Sequence, residues 1–164
     1  MRSILKVNWD SNLPIYNISH SKLKEKGIHC ILLDVDGTLV NRNSTKIPKA
    51  VKNWIIESKK FFSLYLISNN PSKKRIAKLA KELNLRYKYN ASKPRKKVTL
   101  SAINEIGIKH ENIAIIGDRI FTDIIVGNRC NIKTILVKRL NRDGLPIKFN
   151  LTLTIEKLIS HFIK

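Results

Sequence analysis

Short apolar runs that stop at polar turns limit most strongly how this chain can fold. They lie in residues 29–34, 61–67, 113–116 and 133–137, and the first, second and fourth strands they predict end in Asp34-Val35-Asp36-Gly37-Thr38, Ser68-Asn69-Asn70-Pro71 and Gly117-Asp118. A weaker third strand is expected at residues 86–89, before Lys93-Pro94. Runs this short, without polar alternation, indicate strands covered on both faces. Between them apolar residues recur at helical spacing: Val51, Trp54, Ile55 and Ser58 after Pro48, then Ile76, Leu79, Ala80 and Leu83, then Val98, Ala102 and Ile106 before Gly107. A short polar helix is expected at residues 21–26, closed by Gly27, and a last helix at residues 154–163, with Ile155, Leu158, Ile159 and Phe162 on one stripe.

Strands alternating with amphipathic helices predict an α/β fold. Its form is a three-layer Rossmann-like sandwich with a central parallel sheet of about five strands and right-handed crossovers. The length, 164 residues, suits one domain spanning 1–164. All strands of a parallel sheet end at one edge, and ligands bind in the crevice outside those ends.

The chain carries 32 Lys and Arg against 12 Asp and Glu, a formal net charge of +20, with 43% hydrophobic residues. Lys, Ile and Asn make up 64 of the 164 residues, a pattern that A- and T-rich codons produce. Codon usage does not explain the shortage of Glu, so a selected positive potential remains to be accounted for. No apolar run approaches the roughly 18 residues of a membrane span, and no apolar segment of signal-peptide length precedes Asp10. A cytoplasmic protein is expected. Cys30 and Cys130 have no Cys or His at ligand spacing and read as packed thiols.

Six aspartates occur, and four of them, Asp34, Asp36, Asp118 and Asp123, follow the first and fourth strands. Any single one of these suits a turn or helix cap. Together with Ser68 and Lys93 at two further strand ends, they converge on one edge. Clustered carboxylates repel, and a hard divalent cation with oxygen ligands, Mg²⁺ above all, relieves that repulsion. Carboxylates, Mg²⁺ and a lysine suit phosphoryl transfer, in which one Asp attacks phosphorus and another, two residues on, acts as acid and then as base.

These residues carry a resemblance. Asp34-Val35-Asp36-Gly37-Thr38, Ser68-Asn69, Lys93 and Gly117-Asp118 with Asp123, in this order, resemble the four motifs of the haloacid dehalogenase superfamily of phosphohydrolases. The resemblance implies Asp34 as nucleophile, Asp36 as general acid and base, Thr38 fixing the nucleophile's loop, Ser68 binding the phosphoryl group and Lys93 neutralising both. It also implies Mg²⁺ held by the Asp34 carboxylate, the Asp36 main-chain carbonyl and Asp118, with Asp123 orienting the metal's waters or Lys93. The gaps between motifs, about thirty and about twenty-five residues, hold no cap domain.

Leu13-Pro14, Ala91-Ser92-Lys93-Pro94, Ile116-Gly117-Asp118-Arg119, Phe121-Thr122-Asp123, Gly127-Asn128-Arg129 and Thr134-Ile135-Leu136-Val137 are similar to the capless subclass IIIA phosphatidylglycerophosphatases of bacteria and mitochondria. That likeness implies dephosphorylation of phosphatidylglycerol phosphate at the inner face of a membrane. The chain departs from the family's usual Asn at Gly37, Gln at Arg119, and Gly at Val126 and Asn131. An Arg-rich C-terminal stretch of the family is replaced here by Phe149-Asn150-Leu151-Thr152.

Basic clusters open the helices after the second and third motifs (Lys73, Lys74, Arg75; Arg95, Lys96, Lys97) and follow the fifth strand (Lys138, Arg139, Arg142). Cations in a first helical turn oppose the helix dipole. Their recurrence there predicts a basic rim, with Lys73, Lys74, Lys96 and Lys97 binding substrate, that meets an anionic lipid and membrane surface. Asn69 and Arg129, in stretches that carry the resemblance, are also expected to bind substrate. A phosphatase for soluble sugar or nucleotide phosphates is the alternative. A basic nucleic-acid-binding module has less behind it, since no Cys/His finger, recognition-helix pattern or aromatic interleaving accompanies the basic clusters.

Overall fold

The computed structural model describes residues 4–162, with side chains through Ser160. In chain order the elements are β1 (Trp9–Asp10), α1 (His20–Glu25), β2 (Cys30–Leu33), α2 (Lys49–Ser58), β3 (Ser63–Ile67), α3 (Lys73–Leu83), β4 (Arg86–Lys88), α4 (Lys97–Ile106), β5 (Ile113–Gly117), α5 (Ile125–Arg129), β6 (Lys133–Leu136) and α6 (Leu151–Phe162). The strands form one sheet in the order β1-β6-β5-β2-β3-β4, every pair parallel. The α/β sandwich expected from the sequence is therefore the observed fold, and no cap domain interrupts the described residues.

The sheet has six strands where the apolar runs indicated about five. β1 is two residues long and has no periodicity of its own. Its position is set by side chains: the Asn8 amide donates to Thr134 Oγ1 at 3.0 Å, and the Thr134 amide donates to Asn8 Oδ1 at 2.9 Å. These bonds cover the β6 edge.

Alternation along the strands builds the two larger of three apolar cores, the third being a small cluster of Leu5, Ile120, Ile124 and Leu136. Ile31, Leu33, Leu64, Leu66 and Ile116 pack with Val51, Trp54 and Ile55 of α2 and with Ile76, Leu79 and Leu83 of α3. Cys30, Leu32, Tyr65, Ile67 and Ile115 pack on the other face with Ala102 and Ile103 of α4 and Val126 near Cys130. Both cysteines are buried free thiols, and burial pushes them up to about 12 and about 11.

Register aligns the chemistry. Leu33 lies opposite Leu66 on one side and Ile116 on the other, so the turns after β2, β3 and β5 emerge together. The final helix forms where its spacing indicates, but its apolar stripe faces solvent: Leu151, Ile155, Leu158 and Ile159 are exposed while Glu156 is buried. The side chain of Phe162, assigned to the same stripe, and Ile163, where the helix is expected to end, lie outside the described residues.

Candidate active site

The ends of β2 to β6 each contribute part of a cleft of about 120 Å³ lined by Asp34, Asp36, Arg42, Asn69, Asn70, Pro71, Lys93, Asp118, Arg119, Thr122, Asp123 and Arg139. After β2 the chain turns sharply, with Gly37 at φ +95°, a left-handed conformation that side chains resist. The turn brings the Thr38 hydroxyl back to donate to Asp34 Oδ2 at 2.9 Å. Thr38 is fully buried, so this bond holds the carboxylate of Asp34 in one orientation.

Lys93 stands at the centre. Its Nζ donates to Asp34 Oδ1 at 2.7 Å, to Asp123 Oδ1 at 2.6 Å and to the Ile67 carbonyl at 3.0 Å, which uses all three ammonium hydrogens. Burial alone would lower its pKa, but the Asp123 and Asp34 carboxylates outweigh burial and hold Lys93 well above the ordinary lysine value. The loop that carries it is clamped by Asn69, whose Oδ1 accepts from the Lys93 amide at 2.7 Å and whose Nδ2 donates to the Lys93 carbonyl at 2.9 Å.

Asp118 and Asp123 are both buried after β5. Burial pushes Asp118 up to about 7, reinforced by the charges of Asp34 and Asp123 and partly offset by Arg139. Asp123 rises to about 6 for the same first reason, with Lys93 pulling it down and Asp34 pushing it up. Carboxylate oxygens of Asp34, Asp118 and Asp123 lie within 4.8 Å of one another, and Asp118 Oδ1 is buried without a hydrogen-bond partner. An orphaned carboxylate oxygen facing two more carboxylates fits a hard cation, and Mg²⁺ is the cofactor this donor set holds. Four acids and four cations line the cleft. A divalent ion added to them would leave the cleft with an excess of positive charge, which suits a phosphomonoester dianion.

Gly117 permits this packing. A Cβ there would lie 2.3 Å from Asp123 Cγ, so the strand end must be bare where the carboxylate folds over it. Gly117→Ala is expected to displace Asp123 from Lys93 and to weaken Mg²⁺ binding about tenfold or more, measured by titration calorimetry. Wild-type affinity in that variant would show that Asp123 does not support the ion.

The Asp36 carboxylate lies outside the three-carboxylate cluster: Oδ1 pairs with Arg75 Nη2 at 2.7 Å and Oδ2 accepts from Asn70 Nδ2 at 3.1 Å. Ser68 is fully buried, and its Oγ accepts from the Asn70 amide at 3.1 Å. Lys73, Lys74, Lys96 and Lys97 are exposed at the starts of α3 and α4 and do not line the cleft. Arg129 also lies off the lining and donates to the Pro94 carbonyl at 3.2 Å, tying α5 to the Lys93 loop. Arg42, Asn70, Arg119 and Arg139 do line it, and Arg75 holds the loop above by donating to the Asn41 and Ser44 carbonyls. Arg139 was visible in the sequence only as part of a basic cluster after the fifth strand. Its Nε donates to Asp118 Oδ2.

A HAD-hydrolase-like family model matches residues 90–143, a segment that carries Lys93, Asp118, Asp123 and Arg139. The chain is 31% identical over 137 residues to the protein named "Probable phosphatase YqeG" of Bacillus subtilis (strain 168), covering 83% of this chain and 80% of that one. The chain belongs to the haloacid dehalogenase-like hydrolases. Among solved structures, an uncharacterized protein from Listeria monocytogenes serotype 4b aligns with a TM-score of 0.56 at 18% identity, over 77% of this chain and 86% of that one. The HAD-hydrolase YfnB from Bacillus subtilis, solved bound to magnesium, aligns with a TM-score of 0.55 at 12% identity, over 84% and 99%. Both likenesses concern the shared fold. The chain is thus a phosphatase of this family, and its buried Asp34, Asp118 and Asp123 form a carboxylate triad that could hold magnesium.

Proposed function

We propose that this HAD-like phosphatase removes the terminal phosphate of phosphatidylglycerol phosphate through an aspartyl phosphate on Asp34. The observation that carries the chemistry is the Asp34 carboxylate, oriented by Thr38 and charge-balanced by Lys93 at the floor of a capless cleft. Bound Mg²⁺ supplies charge neutralisation for the phosphoryl oxygens. Asp34 attacks phosphorus, the P–O ester bond breaks, and the departing alkoxide takes a proton from Asp36. Asp36, now a carboxylate, accepts a proton from water as that water attacks the phosphorus of the aspartyl phosphate. Inorganic phosphate leaves, and Asp34 is restored. Arg75 and Asn70 fix Asp36 for both steps, so its reach to the leaving group and to water does not depend on a free side-chain torsion.

The lipid assignment rests on the likeness to phosphatidylglycerophosphatases across nearly the whole chain and on the open cleft with Arg42, Arg119 and Arg139 in its lining. An uncapped site accepts a headgroup presented on a surface. The exposed lysines 73, 74, 96 and 97 would add long-range attraction to an anionic membrane, where the enzyme works as a peripheral protein.

Phosphate release decides between substrates. With phosphatidylglycerol phosphate in mixed micelles, kcat/KM is expected to exceed that for glycerol, sugar and nucleotide phosphates by about tenfold or more. A preference for any soluble ester would overturn the lipid reading and leave the hydrolase chemistry standing.

A further inference from the structure

Helix α6 is built inside out. At helical spacing, Leu151, Ile155 and Leu158 fall on one stripe with Ile159 beside them, and this stripe is exposed, Leu151 at 61% and Leu158 at 56%. The opposite face carries Leu153, Glu156 and Ser160, and Glu156 is 2% exposed. A helix docked on a water-soluble domain ordinarily buries its apolar face and exposes its carboxylates. Here one carboxylate anchors the helix: Glu156 Oε1 accepts from Arg119 Nε and Nη2 at 3.2 and 3.1 Å, and Oε2 accepts from the Ile120 amide at 2.8 Å. Leu145 and Phe149, just before the helix, are exposed at 58% and 69%, which extends the apolar surface.

We infer that α6 and the segment before it form an interfacial surface that lies on an anionic phospholipid bilayer and holds the cleft against it. This deepens the lipid-phosphatase reading and rests on it. Four observations select the bilayer. The helix is anchored beside the cleft, because Arg119 lines the cleft and also holds Glu156 on the inner face of α6. Exposed Arg142 and Lys148, in the loop before α6, place cationic side chains beside the exposed apolar residues, where they would meet anionic headgroups. The chain's net charge of +20 complements such a surface and opposes a second copy of itself, which would bring two strongly cationic bodies within a Debye length. The 12 residues of α6 are too few to span a bilayer, so α6 would meet one lying along its surface.

Flotation of the full chain with vesicles of phosphatidylcholine containing phosphatidylglycerol tests this. Phe149→Gln/Ile155→Gln/Leu158→Gln replaces exposed side chains with a good helix former, so the fold is retained. Hydrolysis of p-nitrophenyl phosphate at the wild-type rate verifies that. Vesicle binding by the variant is expected to fall about tenfold or more, with an equal loss of activity on vesicle-borne substrate. In a Leu158→Trp protein, tryptophan emission is expected to shift to the blue with these vesicles and to be quenched by brominated acyl chains. Wild-type binding by the triple variant, binding that ignores phosphatidylglycerol content, or an unshifted emission from the Leu158→Trp protein would each overturn the inference. So would a wild-type dimer in light scattering that the triple variant converts to monomer. The two readings fail separately: micellar turnover of phosphatidylglycerol phosphate tests the substrate without α6, and vesicle binding tests α6 without turnover.

Discussion

Asp34→Asn is expected to abolish phosphate release and, at the same time, to raise the melting temperature of the metal-free protein. Removing the nucleophile from a constellation that acts as a unit costs about 10⁴-fold or more in kcat, so p-nitrophenyl phosphate turnover should fall to background. The stability effect has the opposite sign because Asp34 and Asp123 share one buried ammonium while a third buried carboxylate, Asp118, lies beside them. The charge of Asp34 helps to push both Asp118 and Asp123 above the ordinary carboxyl range. In the variant, Lys93 keeps Asp123 at 2.6 Å, and the amide oxygen of the new Asn still accepts its second bond. Repulsion is therefore relieved while the ammonium remains satisfied. One pKa unit of relief corresponds to about 1.4 kcal/mol, and for a chain of this size each kcal/mol moves the melting temperature by about 2–4 °C. Calorimetry at pH 8 with EDTA reads this. A lower melting temperature would mean that Asp34 is a net stabiliser through Lys93, and surviving turnover would place the nucleophile elsewhere.

The same crowding shows which parts of the site were legible in the sequence. Asp34, Asp36, Lys93, Asp118 and Asp123, which line the cleft, were readable because a parallel sheet sends every strand end to one edge, so residues at run ends must converge. Ser68 shares that edge, but it is fully buried and off the lining, its Oγ taken up by the Asn70 amide. Arg75, Arg42 and Arg139 were not separable from the other cations, because a basic residue near that edge reads the same whether its side chain turns inward or outward. Arg75 turns in to meet Asp36 at 2.7 Å, whereas Lys73 and Lys74 just before it stay in solvent. Strand β1 left no pattern since its position comes from the Asn8 and Thr134 side chains rather than from periodicity. α6 shows the limit most clearly. Its spacing gives a helix and a stripe, but a buried Glu156 rather than the stripe sets which face turns inward, and period alone carries no sign.

Stability of the metal-free enzyme should fall as pH rises from 4 to 8, and Mg²⁺ should reverse the trend. In the folded chain, burial and neighbouring charge hold Asp118 up to about 7 and Asp123 up to about 6, against an ordinary value of 3.8. Below about pH 4 these carboxyls carry their protons in both states, and the stabilisation relative to high pH is complete. As pH climbs, the unfolded chain ionises freely while the folded chain resists, so the contribution drains away and is gone above about pH 7. For Asp118 alone this is on the order of 4 kcal/mol. Mg²⁺ needs the ionised carboxylates, so its stabilisation is expected to be small at pH 5 and largest at pH 8, about 2.7 kcal/mol at a hundred times its Kd. Other carboxylates in the chain titrate with their own signs, and Asp118→Asn isolates this site. The wild-type curve should fall more steeply than the variant's between pH 4 and 7, and only the wild type should gain strongly from Mg²⁺ at pH 8. Parallel curves, or an equal Mg²⁺ response in both proteins, would remove Asp118 from the metal site.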